Sequence, residues 1–343
     1  MTDPGPPLPG LPVAVADPAP ACYAELRRRV REEGLLDRRP RYYAIKIAIM
    51  AALLTAGWAA FFAVGDSWAQ LLVAVYLAAV FGQIAFLGHE AGHRQIFRSR
   101  RRNEVAGLVH GNLLIGLSFG WWTGKHNRHH AFPNQEGRDP DIAIGAVAFT
   151  PEQAGRRRGP ARVLARYQAY LFFRMLLLEA VSMHIISMQA VLKGPVRRWR
   201  LEGLLLLVHG AAYLTAFLLV LSWPRALAFI AVQQGLFGLY LGSVFAPNHK
   251  GMPVLTEQDE LDFVRRQVLT SRNVSGGRLT ETMLGGLNYQ IEHHLFPAMP
   301  RPALRRCRPL VRAFCAQAGL LYCEKGLVSS YSEVLRHLHA AGQ

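Results

Sequence analysis

Cysteine is scarce in this chain, and acidic residues are outnumbered. Its 343 residues include four cysteines, Cys22, Cys307, Cys315 and Cys323, none in a C-x-x-C pair. The thiols read as free groups in a reducing compartment. Asp and Glu total 23 against 39 Lys and Arg, a net charge of +16. No zinc-finger, helix-turn-helix or RNA-binding signature accompanies that charge, which argues against a nucleic acid partner and toward anionic lipid headgroups. No charged-then-apolar leader opens the chain. The first twenty residues hold seven prolines and two acidic groups and read as disordered.

Charge is absent altogether from four long apolar stretches. Ile47–Val64 has 18 residues, Ser67–Gly88 has 22, Gly203–Pro224 has 22 and Ala226–Asn248 has 23. Each is long enough to cross a hydrocarbon core of about 30 Å as a helix. The first pair is joined around Gly65-Asp66 and the second near Trp223-Pro224-Arg225, links too short for a domain, so each pair is a hairpin. The expected fold is therefore an all-α integral membrane protein, with four transmembrane helices as two hairpins and a cytoplasmic helical cap. The spans are expected at residues 44–65, 67–88, 203–224 and 226–247. Residues 1–40 form a Pro-rich start and basic arm, and residues 41–343 one catalytic domain.

Arginine-rich segments lie outside the hairpins: Arg27, Arg28 and Arg29 in the arm, Arg100, Arg101 and Arg102 in the centre, and Arg197, Arg198 and Arg200 before the third span. The positive-inside rule places both termini and the central segment in the cytoplasm. Ala106–Trp122, broken by glycines, reads as a re-entrant or interfacial segment, and Ala169–Leu192 as an amphipathic helix on the membrane surface. Leu304–Leu321 and Ser332–His339 read as cap helices.

Eight histidines dominate what remains. His89 and His93 form H-E-A-G-H, His126, His129 and His130 form H-N-R-H-H, and His293 and His294 close Q-I-E-H-H behind Gln290. His249 stands alone in P-N-H-K after the fourth apolar run. Each box repeats a helical spacing, which puts its nitrogens on one helix face. The topology brings all eight to one membrane face. Neutral imidazole is a ligand for iron, copper and zinc, and eight are too many for one tetrahedral zinc. A dinuclear site, with iron the expected metal, suits them better. Glu90 is expected to orient an imidazole through its second nitrogen, and Asp139 and Asp141 to buttress the second box. Gln290 is expected to hydrogen-bond a water or a neighbouring ligand. Trp121 and Trp122 read equally as interfacial anchors or as the wall of an apolar channel. His110, His184, His209, His337 and His339 read as polar side chains at the headgroups. H-E-A-G-H alone would also match the zinc-protease pattern, but the other two boxes favour H-x-x-x-H. A metal transporter would hold its ligands near the bilayer midplane in broken helices, not at helix ends.

These boxes, with the surrounding K-H-N-R-H-H, P-N-Q-E-G-R-D-P-D-I, F-A-P-N-H-K-G-M and N-Y-Q-I-E-H-H-L-F-P, resemble the membrane fatty acid desaturases from about residue 40 onward. Gln290 resembles the front-end and sphingolipid branch. The resemblance implies a di-iron centre of two Fe ions on His89, His93, His126, His129, His130, His249, His293 and His294, with O2 as co-substrate. It also implies a fatty acyl substrate, as acyl-CoA or a lipid-bound chain. Glu90 and Gln290 are the expected catalytic auxiliaries. Many Gln-box members carry a fused haem domain with an H-P-G-G motif. No such motif occurs here, so a separate electron donor is expected, a ferredoxin or a b-type cytochrome with its reductase. A di-iron hydroxylase or ketolase acting on an alkane, sterol or carotenoid would share site and topology. The Ala-, Arg- and Gly-rich composition points to a bacterial inner membrane.

Overall fold

A computed structural model describes residues 20–343 except Ile144 and Pro195; the expected disorder of the proline-rich start lies outside the described residues. Helix α1 (Pro20–Glu32) leads into α2 (Pro40–Val64) and α3 (Gln70–Gly92). Then come α4 (Arg100–Gly107), a π-helix (Leu108–Leu114), α5 (Phe119–Ala131) and the short α6 (Pro151–Gly155). Helices α7 (Pro160–Leu176) and α8 (Glu179–Leu192) precede α9 (Trp199–Val220) and α10 (Trp223–His249). The cap follows: α11 (Phe263–Leu269), β1 (Asn273–Ser275), α12 (Arg278–Met283), α13 (Gln290–Leu295), α14 (Arg301–Gln317), β2 (Glu324–Gly326) and α15 (Leu327–Gly342).

Helices α2, α3, α9 and α10 are the four long, apolar spans the sequence predicts, with ends a few residues from the expected ones. Pro40 starts α2 where its missing N–H costs nothing, and Gly65, at φ 62°, turns the chain out of it. The buried amide of Gln70 donates to Phe61 O at 2.6 Å and Gly65 O at 3.0 Å, closing the first hairpin. The two hairpin turns meet: Asp66 accepts from Ser222 N at 2.9 Å and pairs with Arg225. Helices α3 and α10 are the inner pair, with Gly82 giving way to Tyr240, whereas α2 and α9 expose Ile45, Ile49, Leu204, Leu207 and Leu218. Such exposed apolar faces belong against lipid.

Two segments depart from simple spans. The π-helix and α5 meet at 115°, the geometry of a re-entrant turn. Residues 169–192 do not form one surface helix. The chain bends by 82° between α7 and α8, and α8 packs against α9 and α10 with Ala180, Ser187 and Val191 buried. The reason lies on α10. At Gly238 a Cβ would come within 2.7 Å of Leu176 O and Ala180 N, so the bend docks backbone to backbone.

The cap core is Leu26 and Val30 of α1, Val264 and Val268 of α11, Ile291 and Leu295 of α13, and Leu304, Val311 and Phe314 of α14. Helix α14 stops at Gln317, before the expected Leu321, at a turn through Gly319 with φ 64°. Fully buried Arg272 joins cap to membrane helices. Its side chain donates to Pro247 O and Lys250 O, each at 2.8 Å, and pairs with Glu333 of α15. Arg272→Ala strands two carbonyls and leaves Glu333 only Lys325 and Arg336, so it should cost about 3 kcal/mol. A thermal melt of the detergent-solubilised protein checks this, and an unshifted Tm would refute it.

Candidate metal centre

The two inner helices deliver the first ligands. His89 sits in the last turn of α3 and His93 at its C-cap, while His249 is the last residue of α10. The second box occupies the last two turns of α5, and the third lies on α13. On α13, Ile291 and Leu295 face the cap core while Gln290, His293 and His294 face the cluster.

Two groups of imidazoles result. His89, His93, His126 and His293 bring one nitrogen each within 4.8 Å of one another, and His129, His249 and His294 do the same. His130 links the groups: its Nε2 is 3.1 Å from His126 Nε2, and its ring stacks on His294 at 4.2 Å. His93 Nε2 and His126 Nε2 are 2.8 Å apart, and His129 Nε2 and His249 Nε2 are 3.2 Å apart. Two nitrogens on one ion, each bonded at about 2.1 Å, stand about 3 Å apart when adjacent. Among the described residues, five buried imidazole nitrogens have no hydrogen-bond partner: His89 Nε2, His130 Nδ1, His294 Nε2 and both nitrogens of His293. Orphaned buried polar atoms are costly. Their convergence fits metal ions.

The outer nitrogens of the second group are held. His129 Nδ1 lies 3.0 Å from Asp139 and 3.4 Å from Asp141, His249 Nδ1 lies 2.9 Å from Thr270 O, and His294 Nδ1 lies 2.7 Å from Gln267 Oε1. Such contacts fix the tautomer that presents Nε2 to a metal. Gln267 and Thr270 carried no sequence signal, because they belong to α11 and its C-cap, outside every box. The Gln290 amide nitrogen is 2.8 Å from His249 Nε2, and Asn248 donates to Gln290 Oε1 at 3.1 Å. Glu90 is placed differently from expectation. Its carboxylate accepts from Lys46 Nζ at 2.7 and 2.8 Å, with Arg301 at 3.8 Å, and no hydrogen bond joins it to a histidine among the described residues. A buried carboxylate is held by cations, and α2 and α14 supply them.

Trp122 stacks on His126 at 4.4 Å and lines an apolar cavity that also reaches His89, Phe86, Phe119, Met183 and Leu241. Trp121 instead packs with Val191, Val196 and Leu206. His184 and His209 both turn to backbone. Their Nδ1 atoms lie 2.9 Å from Gly116 O and Leu113 O, satisfying the re-entrant backbone. His110 turns to Ala106 O one helical turn back.

Comparison with known proteins agrees with this geometry. The fatty acid desaturase family model matches residues 66–326. The acyl-lipid (9-3)-desaturase of Physcomitrium patens is 33% identical over 92% of this chain and 62% of its own length. The Delta(5) fatty acid desaturase of Caenorhabditis elegans is 32% identical over 88% of this chain and 69% of its own. The Delta(6)-fatty-acid desaturase of the same worm is 29% identical over 92% and 74%. This chain thus spans under two thirds of the moss protein.

The buried cluster has a consequence for pH. Burial, reinforced by neighbouring imidazoles, holds His126, His130, His293 and His294 well below the usual histidine pKa. His129 goes the other way: Asp141 and Asp139 outweigh burial and raise it. In the unfolded chain all titrate near about 6.5. Four groups that charge only on unfolding outweigh one that gains on folding, so stability falls as pH drops through about 6.5. The metal-free protein should melt on the order of 10 °C lower at about pH 5.5 than at about pH 7.5. A Tm constant across that range would contradict the buried, neutral cluster.

Proposed function

The chain belongs to the fatty acid desaturase family, and on that premise we propose that it introduces a double bond into a fatty acyl chain, carried as acyl-CoA or in a lipid, using O2 and two iron ions. The observation that carries this reading is the set of five imidazole nitrogens without a partner among the described residues, converging beside an apolar cavity that His89 lines. His89, His93, His126 and His293 would hold one ion, and His129, His249 and His294 the other, with His130 between them. Iron held there would, with O2, two electrons and two protons, supply the oxidising power to take two hydrogens from adjacent methylenes, with two waters as by-product.

The chain's own residues do the rest. Trp122, Phe119, Phe86 and Leu241 wall a dry path for the acyl chain. Asp139, Thr270 and Gln267 orient imidazoles, and the Glu90–Lys46 pair braces the end of α3 beside His89. Gln290 stands beside His249, where its amide can serve a proton acceptor at the site. Residues 41–343 act as the catalytic domain, residues 1–40 as an arm. Both termini and the site lie on the cytoplasmic side, since the arginine clusters and histidines share the face opposite the Asp66–Arg225 contact. The composition supports a bacterial inner membrane.

Product analysis tests this reading. Expressed in a host of defined lipid composition, the chain should produce an unsaturated acyl species seen by mass spectrometry and absent with His130→Ala. A hydroxylated product would overturn desaturation in favour of hydroxylation.

We infer that electrons come from a separate acidic carrier, a small ferredoxin or a b-type cytochrome with its reductase. The net charge of +16 and the exposed Arg305, Arg306 and Arg312 on α14 support this. Raising ionic strength from about 0.01 to about 0.15 M shortens the Debye length from about 30 to about 8 Å. The KM for an acidic [2Fe–2S] ferredoxin should then rise roughly tenfold. A flat response would exclude electrostatic recruitment.

A further inference from the structure

Helix α9 contains a single acidic residue, Glu202, near its cytoplasmic end, and its side chain is buried. A charged side chain in a membrane helix is expensive and calls for a reason. Its Oε2 accepts three hydrogen bonds: from Ser118 Oγ at 2.6 Å, Gly120 N at 3.0 Å and Asn112 Nδ2 at 3.1 Å. The donors bracket the turn between the π-helix and α5: Asn112 lies in the π-helix, Ser118 in the turn and Gly120 in the first turn of α5. The approach is close: a Cβ on Gly120 would meet Glu202 Oε1 at 2.4 Å.

The same turn is held from other sides. Asn112 Oδ1 accepts from Phe119 N at 3.0 Å, Ser118 Oγ from Trp121 N at 3.1 Å, and Ser187 Oγ from Ser118 N at 2.6 Å. The first N–H groups of α5 are thus satisfied by side chains, with a carboxylate at the positive end of the helix. This turn also builds the wall of the apolar cavity through Gly111, Leu117, Ser118 and Phe119. Two turns further along, α5 carries His126, His129 and His130. One carboxylate on a separate helix therefore fixes both the cavity wall and the start of the second box.

We propose that Glu202 clasps this turn so that the acyl cavity is held in register with the histidine cluster, and thereby determines which pair of methylenes is desaturated. Glu202 is a positioning residue, since it touches the turn and not the imidazoles. The proposal rests on the desaturase reading above and adds the origin of positional fidelity to it. A shift of one bond along an extended acyl chain is little more than 1 Å, which is within reach of a loosened turn and large on the scale that reaction geometry tolerates.

The test is the position of the new double bond, read by mass spectrometry of derivatised fatty acids from the same host. Wild type should give one position. Glu202→Ala should spread the product over two or more adjacent positions, with yield down about tenfold to a hundredfold. Glu202→Gln keeps an acceptor oxygen and should stay near the wild-type pattern. Ser187→Ala frees Ser118 N–H without touching the carboxylate; it should show a smaller spread and serves if Glu202→Ala does not accumulate. Iron per purified protein should match wild type in each variant. A single unchanged position at reduced yield, or loss of iron in both Glu202→Ala and Ser187→Ala, would overturn the proposal and leave Glu202 a folding residue. No unsaturated product from wild type would instead bring down the desaturase reading, and this proposal with it.

Discussion

Everything in this fold depends on α3 and α10 ending at the same face. Each is the second arm of a hairpin, so both run in the same direction, and tight turns tied through Asp66, Ser222 and Arg225 keep their far ends level. That arrangement alone brings His89 and His249 together, although 160 residues separate them in sequence. The remaining boxes come from segments that fold back over these ends. The cap then seals the cluster: α13 turns Ile291 and Leu295 outward into the cap core and its histidines inward. Burial keeps His126, His130, His293 and His294 neutral, with their lone pairs available, while Asp139 and Asp141 pull His129 the other way.

The second constraint is the backbone of the re-entrant turn. Irregular backbone at membrane depth survives only where protein groups satisfy it. Here the partners come from three elements: His184 and Ser187 of α8, His209 and Glu202 of α9, and Asn112 of the π-helix itself. The polar residues of two apolar helices are thus explained together. They hold a bent segment whose outer limb bears His126, His129 and His130. The 82° bend between α7 and α8 serves the same end, since it lays Ser187 against Ser118.

Where a pattern repeats within one element, the sequence was readable. Uncharged runs of about 20 residues announced the four spans, and i, i+3 and i+4 spacings announced three of the four groups of histidines. His249 was legible only through topology, because it follows the fourth span. What stayed hidden depends on contacts between elements far apart in the chain. Nothing near Glu90 says that Lys46 and Arg301 will take its carboxylate. Nothing near His184 or His209 says that a carbonyl from residues 113–116 lies overhead. The split of residues 169–192 turns on Gly238, in another helix.

The two halves of the centre are not prepared alike. In the second group, His129, His249 and His294 each have Nδ1 occupied by a protein acceptor, so each ring is oriented before any ion arrives. In the first group, neither nitrogen of His293, nor His89 Nε2, has a partner among the described residues. Gln290 sharpens the contrast. With its oxygen taken by Asn248, its amide N–H faces His249 Nε2, which is why that nitrogen is satisfied while His294 Nε2 is not. A ring held by an outer hydrogen bond would lose little conformational entropy on binding an ion, whereas His293 would lose more. The fold therefore orients one group of imidazoles through hydrogen bonds and leaves the other without them.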